Sequence, residues 1–148
     1  MKDIQDLYAT TIIEHYRNPR NFTEIGNANR KARGHNALCG DHFTVFLHVD
    51  DKRITAVGVS GSGCAVATAS ASMMTEKVKG KTEDEAKALY SDFIDLLASH
   101  SEGDEKPSLE ELNVFKGVRG YPARVKCAYL PWQTLRAALE GSQQFDEE

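Results

Sequence analysis

Apolar side chains recur at helical spacing near the N-terminus, where Leu7, Tyr8, Ile12, Ile13 and Tyr16 share one face of a helix over 4–16. Pro19 closes that pattern. The stretch 21–36 is rich in Gly, Asn and Arg and reads as loop. Two runs of β-branched and aromatic residues follow, over 43–49 and 54–59, with Asp50-Asp51-Lys52 as the hairpin turn between them. Gly61-Ser62-Gly63 then breaks the alternation. Small residues lead into Met73, Met74 and Val78, which predicts a helix over 64–78 with close packing on one face and Gly80 at its end. Thr82 and Glu85 form a capping box ahead of Ala86, Leu89, Phe93 and Leu97. Loop is expected over 101–107, a short helix over 108–115 behind a Ser108/Glu111 box, and loop over 117–122. A last helix is expected over 127–139, with Pro131 tolerated near its first turn, and then a frayed tail over 142–148. These elements define an α+β domain, with a small antiparallel sheet of about three strands covered by helices.

Length and composition add limits. A chain of 148 residues is one domain's worth, and 41% hydrophobic with 27% charged residues is ordinary for a globular protein. No apolar run is long enough to span a bilayer, and the first residues have no export-signal core, so a cytoplasmic location is expected. The net charge of −4 argues against non-specific nucleic-acid binding. Charge is uneven along the chain. Ten acids (Glu83, Asp84, Glu85, Asp92, Asp95, Glu102, Asp104, Glu105, Glu110, Glu111) face two bases, Lys87 and Lys106, in one stretch, while Arg17, Arg20, Arg30, Lys31 and Arg33 cluster early. A solvated acidic helix pair beside a basic loop is the plain reading, and a surface that steers a protein partner the sharper one.

Three cysteines are too few, and odd in number, for a disulfide framework, so metal or thiol chemistry is the open question. Cys39-Gly40-Asp41 precedes a strand, where side chains two apart share a face, so Cys39 and Asp41 converge and His42 points away. By themselves they also suit a buried cysteine and a turn-forming aspartate. Cys64 follows the glycines at a predicted helix N-terminus, where the dipole favours a thiolate, although a small core residue would fit there too. Cys127 also opens a predicted helix, behind the basic Arg124 and Lys126. The coincidence points to one shared site, despite the lack of a CxxC knuckle. Three thiolates and a carboxylate (Cys39, Asp41, Cys64 and Cys127) make a tetrahedral set suited to Zn2+. Such a site carries a net −2, which Arg124 and Lys126 could offset, with Arg124 bonding a ligand from behind. Of the histidines, His35 is a weak spare ligand, His15 is a surface or packing residue of the first helix, His48 alternates within a strand, and His100 ends a helix, where its position suits the dipole. No hydrolytic triad, zinc-deaminase signature or phosphate loop is present.

Cys39-Gly40-Asp41, Gly61-Ser62-Gly63-Cys64 with the segment 65–76, the late Cys127, and the opening 13–21 (Ile-Glu-His-Tyr-Arg-Asn-Pro-Arg-Asn) together resemble the IscU-like iron–sulfur scaffold superfamily over nearly the whole chain. The resemblance implies a single domain over 1–148. The scaffold branch usually has a His beside its last ligand cysteine, near a Leu-Pro-Pro-Val-Lys motif. Here that position is Lys126, and the acidic segment before it is longer. Both features resemble the SufU-type branch. That branch implies a zinc-dependent sulfurtransferase that takes persulfide sulfur from a SufS-type pyridoxal-phosphate cysteine desulfurase and passes it toward a downstream cluster-assembly scaffold. By resemblance Cys39 is the sulfur acceptor, and a partner histidine takes its place on the zinc. A scaffold that itself holds an iron–sulfur cluster is the alternative, and a purely structural zinc module the third reading. The docking face is expected along Arg30–Arg33 and the rim around Cys39.

Overall fold

The structure is a computed structural model that describes residues 4–98, 105–141 and 144–147. The elements in chain order are α1 (Ile4–Arg17), β1 (Arg30–Asn36), β2 (Asp41–Asp50), β3 (Arg53–Ser62), α2 (Ala65–Val78), α3 (Glu83–Ala98), a 3-10 segment (Pro107–Val118), α4 (Pro122–Leu139) and β4 (Gln144–Glu147). The expected α+β class holds. Its core is an antiparallel meander of β1, β2 and β3, and β4 pairs parallel to β1 at one edge, giving the order β3-β2-β1-β4.

The hairpin between β2 and β3 turns where the sequence placed it. Asp51 and Lys52 both take positive φ, 51° and 64°, the twist that matches two antiparallel strands. β1 is a correction, because the composition of 21–36 predicts loop. Its inward positions are Ala32, Gly34 and Asn36, and its outward ones Lys31, Arg33 and His35. A strand whose buried face holds no large apolar side chain shows no period-2 signal. The reason for the small residues is α4, which crosses β1 closely: a Cβ on Gly34 would lie 2.0 Å from Thr134 Oγ1. The tail is a second correction, since 144–147 pair with Arg33 to Asn36. Residues 142, 143 and 148 of that tail lie outside the described residues, as do His100 and most of the expected 101–107 loop.

α2 is the central helix. Every residue from Val66 to Thr75 is buried, so it is enclosed all round rather than on one face. Its small residues permit this, and Ser70 Oγ donates to Ala128 O of α4 at 2.7 Å. The capping box of α3 forms as read: Thr82 N donates to Glu85 Oε1 (2.9 Å) and Glu85 N to Thr82 Oγ1 (3.1 Å). The Ser108 box does not form. Pro107 opens that segment, and Ser108 Oγ donates to Asp92 Oδ2 on α3 instead. Phe93 stacks on Trp132 (5.0 Å) and meets Phe115 edge-on (5.6 Å), which ties α3, α4 and the 3-10 segment into one core.

α4 starts five residues earlier than expected. Pro122 occupies its first turn, where its fixed φ suits a helix and its missing N–H costs nothing. Pro131 is therefore interior, and it withholds the helical amide from the Cys127 carbonyl four residues back.

Candidate metal centre

The centre forms where the β1–β2 turn, the start of α2 and the second turn of α4 meet. Asn36, fully buried at the end of β1, accepts Leu38 N at its Oδ1 (3.2 Å) and so bends the chain outward. Gly40 completes the turn at φ +70°, in space that would admit a Cβ, so conformation alone selects glycine there. Cys39 rides on this turn and is exposed, whereas Asp41, the first residue of β2, is fully buried. The two converge through the turn, not through an extended segment. His42 does point away, to Ser62 Oγ at 3.2 Å.

Asp41 is held on one side only. Its Oδ1 accepts Cys64 N at 2.8 Å, and its buried Oδ2 has no hydrogen-bond partner among the described residues. Gly63 allows this approach, because a Cβ there would stand 2.7 Å from Oδ1 and 3.0 Å from Phe43 Cζ. Cys64 is the N-cap of α2, its Sγ accepting Ala67 N at 3.4 Å. Cys127 is buried and its Sγ lies 3.3 Å from Cys39 Sγ. Sγ of Cys39, Sγ of Cys127 and a carboxylate oxygen of Asp41 all lie within 4.8 Å of one another. Cys64, at the start of α2, neighbours Cys127 closely enough to shift its thiol, but it stands outside that group of three.

The thiols differ in character. The bond from Cys127 pulls the Cys64 thiol down to about 7, against the opposing effect of burial and with help from the Ala67 amide. Cys127 is pushed well above the usual thiol range by that same bond, then by burial and by Asp41 and Cys39 beside it. The lowering expected at Cys64 is there, but its chief cause is Cys127 and the helix-start amide of Ala67 only adds to it; Cys127 itself is raised, and it sits in the second turn of α4 because Pro122 starts the helix early.

The donor set fits a tetrahedral zinc. Two thiols and a carboxylate are gathered, with the third thiol, Cys64, beside them at the α2 cap, and a buried carboxylate oxygen lacks, among the described residues, the partner that a cation would supply. His35 is exposed on β1 opposite His42, and no described histidine joins the thiols. Arg124 is exposed in the first turn of α4, three residues before Cys127. Sequence reasoning missed Asn36, whose side chain shapes the Cys39 turn; an Asn two residues before a Leu-Cys-Gly turn was the available signal.

An α+β core of this topology, with Cys39, Asp41 and Cys127 gathered beside the Cys64 cap of the central helix, defines a class of small proteins built around clustered thiols. The chain belongs to the NifU-like N-terminal domain family, whose model matches residues 7–128. It is 34% identical over 137 residues to the zinc-dependent sulfurtransferase SufU of Bacillus subtilis, covering 93% of this chain and 92% of that one. It is 30% identical over 145 residues to the iron–sulfur cluster assembly scaffold protein IscU of Streptococcus pyogenes, covering 96% and 88%. The fold matches the crystal structure of the N-terminal part of a nitrogen-fixing NifU-like protein from Brucella abortus with a TM-score of 0.83 at 24% identity, covering 94% and 96%. No helix among the described residues is long and apolar enough to cross a membrane.

Proposed function

We propose that this chain is a zinc-dependent sulfur carrier, in which Cys39, Asp41, Cys64 and Cys127 hold Zn2+ and Cys39 accepts sulfur from a SufS-type pyridoxal-phosphate cysteine desulfurase. The observation that carries the reading is the division among the thiols: Cys39 is exposed on a turn, while Cys64 is recessed at a helix cap and Cys127 is buried. Bound zinc would keep the three thiols as thiolates and bring no redox chemistry of its own. Cys64 and Cys127, fixed by helices, serve as permanent ligands. Cys39 can reach a partner with little movement of the core. Its thiolate attacks the terminal sulfur of the donor's R–S–SH; a Cys39 Sγ–S bond forms, the donor S–S bond breaks, R–S⁻ departs, and Cys39 is left as –S–SH. Arg124, one helical turn from Cys127, is assigned to offset the negative charge of the loaded site.

Docking is assigned to the rim. Leu38 is 73% exposed beside Cys39, and Tyr121 is 62% exposed at the start of α4. Lys31 and Arg33 project outward from the strand that leads into the turn. Sulfur carried on Cys39 would pass to a downstream cluster-assembly scaffold.

The test is metal analysis of anaerobically purified protein, followed by desulfurase assays with trapped persulfide mapped by mass spectrometry. About one zinc per chain in a colourless sample and persulfide on Cys39 are expected, and Cys39→Ser should fold normally and carry none. Persulfide accumulating on Cys39→Ser would sink the assignment. Iron with acid-labile sulfide in a brown sample would replace it with the scaffold reading.

A further inference from the structure

A second group of metal-type donors lies at the opposite end of α2 from the thiols. A ring nitrogen of His15 (α1) and one carboxylate oxygen each from Glu76 (α2) and Glu111 (the 3-10 segment) lie within 4.8 Å of one another. The three come from separate elements, so tertiary packing assembles them. His15 is 5% exposed, and its Nδ1 is engaged by Ser72 Oγ at 2.8 Å. Ser72 also accepts Arg20 N at 2.9 Å, which fixes the hydroxyl and with it the ring. The other ring nitrogen, Nε2, has no hydrogen-bond partner among the described residues. A buried imidazole oriented through one nitrogen, with the other left for a ligand, is the arrangement seen behind metal-bound histidines.

Glu76 stands one turn beyond Ser72 on α2, and so reaches the ring from the helix that orients it. Glu76 and Glu111 are exposed, and both line a cavity of about 410 Å³ with Met73, Lys77, Leu109 and Leu112, so water has access. Burial and then the nearby Arg20 hold His15 below its usual value, against the opposing pull of Glu76, Glu111 and Glu14. Arg20 is itself paired with Glu14 at 3.1 Å, and Lys77 with Glu110. Glu76 and Glu111 have no such cation partner among the described residues.

We infer that His15, Glu76 and Glu111 form a second binding site, for a partly hydrated divalent first-row transition-metal cation. One imidazole and two carboxylates suit such ions, with water filling the remaining positions. The exposed glutamates need only rotate to close on it. The site does not depend on what the thiol centre binds. Glu76 is twelve residues beyond Cys64, roughly 18 Å along the helix, so the two can be probed separately.

The test adds Mn2+ to the protein as purified and follows paramagnetic broadening in ¹H–¹⁵N spectra. Saturable broadening centred on the His15 ring and Ser72 is expected. The paired substitution Glu76→Gln/Glu111→Gln, at exposed positions that leave the core intact, should weaken binding at least tenfold. Glu110→Gln, which changes a neighbouring carboxylate outside the triad, should bind as the parent does. Broadening confined to the Cys64 end, no saturation, or unchanged binding in the paired variant would each overturn the site.

Discussion

Asp41→Asn separates the role of this residue in the bare protein from its role with metal, because the two effects have opposite sign. In the metal-free protein one carboxylate oxygen is buried without a partner among the described residues. Such a group costs about 1–3 kcal/mol. Asparagine keeps the acceptor for Cys64 N, now 2.8 Å from Oδ1, and puts a donor where the orphan oxygen was, beside the thiol sulfurs. The Cys64 bond loses its charge assistance, at a cost of about 1 kcal/mol. The metal-free variant should therefore gain roughly 1 kcal/mol, or about 2–4 °C in Tm for a domain of this size. With zinc the order reverses. Loss of a ligand should cost at least the tenfold to hundredfold affinity drop that follows removal of an outer partner, about 1.4–2.7 kcal/mol, and that much of the metal's stabilisation disappears. Thermal unfolding with chelator and with excess zinc measures both. A variant less stable than the parent in chelator, yet fully stabilised by zinc, would refute the placement of Asp41 Oδ2 as a ligand atom.

Two further outcomes follow from the geometry. In metal-free protein, alkylation of Cys64 should rise with pH through about 7 rather than about 9, since the lowered thiol is ionised earlier; Cys127→Ala removes the largest cause, and the mapped rate profile should move up toward the ordinary range. Gly34→Ala should cost about 1–3 kcal/mol in urea unfolding, because its Cβ would sit 2.0 Å from Thr134 Oγ1, and adding Thr134→Ala should recover most of the loss, leaving Leu130 Cδ1 at 3.1 Å as the nearest remaining obstacle.

Local signals were enough wherever a residue's own neighbours decide its conformation. The Thr82–Glu85 box, the Asp51-Lys52 turn, the β2 and β3 runs and the Cys64 cap all stand as read, because each rests on bonds or periodicity within a few residues. The donor types at Cys39, Asp41, Cys64 and Cys127 were legible as chemistry. Tertiary packing decided the rest. β1 is a strand because β2 pairs with it and α4 demands small residues on its inner face, which erases the apolar alternation that would have announced it. The tail over 144–147 becomes a strand only because β1 offers an open edge. Cys127 looked like a helix-start thiolate, but Pro122 begins α4 five residues earlier and places that thiol in the interior, where burial and three neighbouring donors raise it. His15, Glu76 and Glu111 are scattered over nearly a hundred residues, and nothing in their local sequence connects them. A residue's backbone preferences are local and therefore written in the chain, whereas dielectric, proximity of charge and the room for a Cβ belong to the neighbours that the fold supplies.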